Sequence, residues 1–153
     1  MVFLFASLFF IGLCALSWID IKTFRLPNQL NYGLLLLGFV QAYFLSPDIR
    51  MNVLGAALGY GAFVSIEKGF KALSKKDGLG RGDAKLLAVG GAWCGAFALP
   101  VIVLLASVAA IVGIIALGKA RDNKIPFGPF LSVAMFIVWG LNQSGFYLSL
   151  IHI

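Results

Sequence analysis

Met1-Val-Phe-Leu-Phe-Ala-Ser-Leu-Phe-Phe-Ile-Gly-Leu-Cys-Ala-Leu-Ser-Trp-Ile-Asp20 opens the chain, and nothing charged precedes Asp20. A run of this length matches the roughly 20 apolar residues that carry a helix across the hydrocarbon core of a bilayer. A barrel strand would be about half as long and would alternate polar with apolar residues; this run does not. Five further apolar runs follow, so the spans are expected at residues 2–19, 30–45, 53–73, 84–99, 100–118 and 129–151, with a tight junction near Pro100. Backbone groups in lipid must pair within their own segment. The expected fold is therefore all-α, a polytopic membrane bundle of about six transmembrane helices.

Composition says the same. Of 153 residues, 61% are hydrophobic and 12% charged, and the mean hydropathy is +0.98. Soluble domains carry about a quarter charged residues, which excludes a water-soluble enzyme. No large extramembrane domain fits, and residues 1–153 are expected to form a single membrane-embedded domain. The first span lacks a basic start, and Asp20 follows it instead of a small-residue cleavage site, so it is expected to be kept and not removed as a signal peptide.

The net charge of +6 does not point to nucleic acid, because the basic residues lie between apolar runs and not on one solvated face. Lys22 and Arg25 fall in the first loop. Lys68, Lys71, Lys75, Lys76, Arg81 and Lys85 fall in or beside the third, and Lys119, Arg121 and Lys124 in the fifth. Of the 12 basic residues, only Arg50 lies in an even-numbered loop. The positive-inside rule makes the odd loops cytosolic and puts both termini outside.

Cys14 and Cys94 lie in apolar runs without CxxC spacing, so they read as packing residues and not as a zinc site or disulfide. Trp18, Trp93 and Trp139 suit packing or interfacial anchoring. Gly55/Gly59 and Gly91/Gly95 are each four apart, a spacing that lets helix backbones approach closely in lipid.

Six carboxylates remain: Asp20, Asp48, Glu67, Asp77, Asp83 and Asp122. A charge in the bilayer centre costs on the order of 3 kcal/mol, so those that touch spans need a reason. Asp20 ends the first apolar run, and Asp83 opens the fourth within Gly80-Arg-Gly-Asp83-Ala-Lys-Leu-Leu87. Both fall at the cytosolic boundary, and a bundle that packs helix one near helix four would unite them. Helix capping accounts for Asp83 alone; the neighbouring glycines additionally allow a substrate backbone to come close. Glu67 reads as the interfacial end of the third span. Two apposed carboxylates suit peptide hydrolysis, because repulsion makes them share one proton, the ionised member activating water while the protonated one polarises the carbonyl. The one histidine, His152, is penultimate and expected outside, which leaves a Ser-His triad or a His-based metal site without its parts. Ser74-Lys75 reads as solvated loop and not as a dyad. A carrier would place its acids near mid-membrane, and a Mg²⁺-dependent lipid enzyme would cluster several of them; neither pattern is present.

These residues also carry a resemblance. Lys76-Asp-Gly-Leu-Gly-Arg-Gly-Asp83-Ala-Lys-Leu-Leu-Ala-Val-Gly-Gly-Ala-Trp-Cys-Gly95 resembles the signature of type IV prepilin peptidases, membrane aspartic proteases of the GxGD kind. Asp20-Ile-Lys-Thr-Phe-Arg-Leu-Pro-Asn28 and Ile125-Pro-Phe-Gly-Pro-Phe-Leu131 match further family segments in order. The resemblance implies that Asp20 and Asp83 are the catalytic pair, that Gly80 and Gly82 shape the loop before the second, and that no metal or organic cofactor takes part. It implies an inner-membrane endopeptidase, active on the cytosolic side, that removes the short basic leader of prepilin or pseudopilin precursors just before their apolar helix. The loop lysines then serve topology and lipid contact, not leader binding, while Asp77 reads first as a solvated loop residue and second as a candidate for a leader cation. Pro126 and Pro129 end helicity before the last span, near the expected substrate entrance. Many members carry an additional N-terminal region with paired CxxC motifs, associated with methyl transfer; this sequence begins at the first core helix, so that activity is not expected. The alternatives are another GxGD protease, such as a preflagellin peptidase, or a non-enzymatic carrier or assembly factor.

Overall fold

The computed structural model describes residues 1–74, 81–117 and 126–145. Six α-helices account for almost all of them: α1 (Val2–Thr23), α2 (Asn28–Leu45), α3 (Ile49–Ser74), α4 (Arg81–Cys94), α5 (Leu99–Leu117) and α6 (Gly128–Gln143), with a 3₁₀ turn at Ala96–Ala98. No strand occurs among the described residues. Three stretches are long and apolar enough to cross a membrane, Val2–Thr23, Ile49–Leu73 and Ala96–Ala116. Their outward faces carry residues such as Ile11, Leu58, Val112 and Ile115 exposed. An apolar surface on helices of that length suits contact with lipid.

The expected spans correspond to helices, but their ends move. α1 runs on through Asp20 to Thr23, where Phe24 takes a left-handed conformation (φ 51°) and closes the helix. α2 and α3 begin two and four residues earlier than expected, at Asn28 and Ile49. Asp48 explains the latter, since its Oδ1 accepts from the Arg50 N–H at 2.9 Å at the helix start. α4 stops at Cys94, because Gly95 (φ 85°) turns the chain into the 3₁₀ segment before Pro100. α6 ends at Gln143, where a turn through Gly145 (φ 74°) breaks it; residues 146–151 of the expected last span lie outside the described residues.

α4 is the centre of the bundle, packed by α2, α3 and α6. From Ala84 to Cys94 every residue but Lys85 is buried. Backbones meet where glycines permit it: a Cβ on Gly91 would overlap the Gly55 carbonyl, and one on Gly59 would lie 2.7 Å from the Leu87 carbonyl oxygen. The glycine pairs thus join α3 to α4, as their spacing suggested, except that Gly95 serves the turn. Trp93 and Trp139 belong to the core: Phe9 of α1 stacks on Trp93 at 4.0 Å, and Trp139 meets both edge-on. The Trp93 indole donates to the Leu34 carbonyl at 2.8 Å. Trp18 is exposed, with the Lys22 ammonium 4.5 Å from its ring centre. Cys94 is buried, but Cys14 is exposed and fills no core position; it sits on the outward face of α1.

A helix leaves its last carbonyls without intrahelical partners, and α4 ends inside the bundle. Asn52 of α3 donates to the Ala92 carbonyl at 2.8 Å and Asn142 of α6 to the Cys94 carbonyl at 2.9 Å, while the Gly95 N–H returns to Gly91. These amides allow a helix of only 14 residues to stop in an apolar setting.

The contacts also fix direction. Leu26 meets Gly82, Asn28 meets Lys85 and Leu34 meets Trp93, so α2 and α4 run parallel. Gly55 with Gly91 and Glu67 with Arg81 make α3 antiparallel to α4. Asp20 with Gly128 and Phe9 with Trp139 make α1 antiparallel to α6. The end of α1 and the starts of α2, α4 and α6 therefore lie at one end of the bundle.

Candidate active site

Both aspartates lie at that end. Asp20 is in the final turn of α1 on its inward face and only 6% exposed. Its Oδ2 accepts a buried hydrogen bond of 3.0 Å from the Gly128 N–H at the start of α6, a contact spanning 108 positions of sequence. Asp83 lies in the first turn of α4, one residue ahead of its apolar stretch, and is partly buried. Burial first, and the Asp20 charge second, push the Asp83 carboxyl up to about 6. Two acids 63 positions apart thus come within electrostatic reach, one in the last turn of its helix and the other in the first turn of its own.

Several contacts hold the start of α4 in place. Gly82, expected to shape a loop, is helical and lies within α4. Its role is proximity, since a Cβ there would lie 3.0 Å from Leu26. Leu26-Pro27 leads into α2, with Pro27 as the extended cap residue. The Lys85 ammonium donates to Asn28 Oδ1 at 2.6 Å and stands 5.5 Å from the Tyr32 ring centre. Arg81 approaches Glu67 of α3 at 3.6 Å, which gives the interfacial glutamate a partner; the arginine is mostly exposed, so the pair is worth little by itself. Gly80, Asp77, Lys75, Lys76, Lys119, Arg121, Asp122, Lys124, Ile125 and His152 lie outside the described residues. Among the described residues, no group of three or more His, Cys, Asp and Glu side chains comes together.

Three contributors escaped the sequence. The Gly128 amide has no side chain to advertise it, although its place between Pro126 and Pro129, directly at a helix start, was visible. Lys85 counted only as a topology signal, and Asn28 only as the end of a family segment. Chemically, the arrangement offers one carboxyl fixed by a backbone donor and a second biased toward its protonated form.

The sequence profile of the type IV leader peptidase family matches residues 7–115. A prepilin leader peptidase/N-methyltransferase of Xanthomonas campestris pv. campestris is 42% identical over 135 residues, covering 84% of this chain and 47% of that protein. One from Legionella pneumophila is 39% identical over 155 residues, covering 95% of this chain and 53% of that protein. Leader peptidase HopD of Escherichia coli is 41% identical over 125 residues, covering 78% of this chain and 81% of that protein. The chain spans about half the length of the first two relatives. No solved structure gives a significant match.

Proposed function

Because this chain belongs to the type IV leader peptidase family, we propose that it is a membrane aspartic endopeptidase using Asp20 and Asp83 to cut the leader from type IV prepilin or pseudopilin precursors. What supports this reading is that Asp20 and Asp83 lie at the same end of the bundle, near enough for the Asp20 charge to act on Asp83.

Like charges brought together over a substrate favour a state with one shared proton. The ionised carboxylate removes a proton from water as its oxygen attacks the scissile carbonyl. The protonated one donates to the carbonyl oxygen, and a proton passes to the leaving nitrogen as the C–N bond breaks. The pair titrates as a unit. The apolar helix of the precursor remains in lipid while its basic leader lies in the cytosol, so the scissile bond meets the carboxylates at the inner-membrane boundary. The basic residues of the odd loops support that orientation.

The test is cleavage of a prepilin in membrane vesicles by the wild type and by Asp20→Asn and Asp83→Asn separately. Each substitution is expected to lower the rate at least about a hundredfold, the lower range for loss of an acid or base, with the protein still inserted. Substantial processing by either variant, or full inhibition of the wild type by a chelator, overturns the reading.

A further inference from the structure

Gly128 is buried and opens α6. Amides in the first turn of a helix have no partner within it, and they favour negative charge. Phe127, the residue before the helix, supplies no side-chain cap, and Pro129 has no N–H to offer. The Gly128 amide therefore has to find its partner outside the helix, and the Asp20 carboxyl caps it from α1 at 3.0 Å.

The glycine is required for space and not for backbone freedom. Among the described glycines, positive φ occurs only at Gly95 and Gly145. A Cβ at position 128 would stand 2.5 Å from Asp20 Oδ2 and 3.0 Å from its Cγ, closer than real carbon contacts allow. Any side chain there displaces the carboxyl that the amide holds. An N–H can only donate, so Oδ2 is fixed as an acceptor.

We infer that Gly128 is the positioning residue of Asp20: its amide fixes Oδ2, its missing side chain makes room for the carboxyl, and Oδ1 is thereby the oxygen presented to water and to the proton shared with Asp83. The assignment rests on the dyad reading above. It gives the Pro126-Phe-Gly-Pro129 turn a catalytic task beyond ending a helix, because the turn sets where that amide points.

The test compares steady-state cleavage of a prepilin by Gly128→Ala, by Gly140→Ala, and by a variant in which glycolate replaces Gly128, so that an ester oxygen stands in place of the N–H. Gly140 lies on the same helix with open space where a Cβ would go. Gly128→Ala is expected to lower kcat by about a hundredfold, the scale for misplacing a reacting group by an ångström, with KM within about twofold. The ester is expected to lower kcat roughly tenfold, the scale of one hydrogen bond, again without moving KM; Gly140→Ala keeps wild-type values. Should Gly128→Ala fail to fold, the ester variant decides. Wild-type kcat in the ester variant, or a change confined to KM, overturns the positioning role. If Asp20→Asn is inactive while both Gly128 variants keep wild-type kcat, this inference alone fails. If Asp20→Asn cleaves normally, the dyad reading fails and takes this one with it.

Discussion

At Asp83, the proposed chemistry and stability pull in opposite directions. Its carboxyl moves from an ordinary 3.8 up to about 6, mainly through burial. A folded-state value above the unfolded one means that the native protein binds the proton more tightly, so the contribution is fully present below pH 3.8 and is lost as pH rises through about 6. At about 1.4 kcal/mol per unit, the loss is at most roughly 3 kcal/mol. Asp83→Asn removes the ionisation, so the variant is expected to melt higher than the wild type at pH 8 in detergent, with the gap closing by pH 4; equal melting temperatures at pH 8 would contradict the buried setting. The same residues show what a sequence can disclose. Asp20 and Asp83 stood out because a carboxylate touching an apolar span is costly and therefore rare. Gly128 did not, because a backbone N–H looks the same at every non-proline position and acquires its task only where the chain folds back across 108 residues.

Among the elements, α4 carries the most consequence. All six helices were legible as apolar runs, since length and lack of charge alone identify them. Their ends were not, because local chemistry decides them: Asp48 extends α3 backward, Gly95 stops α4, and the turn at Gly145 follows α6. Nor did hydropathy reveal that α4 is the enclosed helix. That follows from Gly55 and Gly91, whose backbones meet too closely for a side chain. Gly91→Ala is expected to separate α3 from α4 and, by tilting the start of α4, to impair cleavage as well as stability. Gly61→Ala, with open space around it, should be neutral or stabilising by up to about 1 kcal/mol from helix propensity. Thermal unfolding and prepilin cleavage of the two variants check this, and a stable, active Gly91→Ala would show that the contact is dispensable. Asn52→Ala leaves the Ala92 carbonyl without its donor and is expected to cost about 1–3 kcal/mol, measured as a lowered unfolding midpoint with the aspartate end of the bundle intact.

For the whole molecule, the directions of the helices and the distribution of charge converge on one topology. The contacts between Asp20 and Gly128, Leu26 and Gly82, and Glu67 and Arg81 gather the end of α1, the end of α3 and the starts of α2, α4 and α6 at one end. That same end carries Lys22, Arg25, Arg81 and Lys85, whereas Arg50 lies at the start of α3 at the other. These two observations are independent, since packing contacts contain no information about which compartment each end faces. The positive-inside rule supplies an expectation: Arg50 outside and the two carboxylates toward the cytosol, the side on which the proposed function needs the precursor leader to be. In a background with Cys14 and Cys94 replaced by alanine, a membrane-impermeant maleimide applied to intact spheroplasts should label Arg50→Cys and leave Lys22→Cys untouched until the membrane is opened. Both positions are exposed in the fold, so access to reagent depends on the membrane and not on packing. The reverse labelling would turn the bundle over and put the aspartates on the wrong side of the bilayer from an unprocessed precursor's leader, leaving the dyad without a substrate.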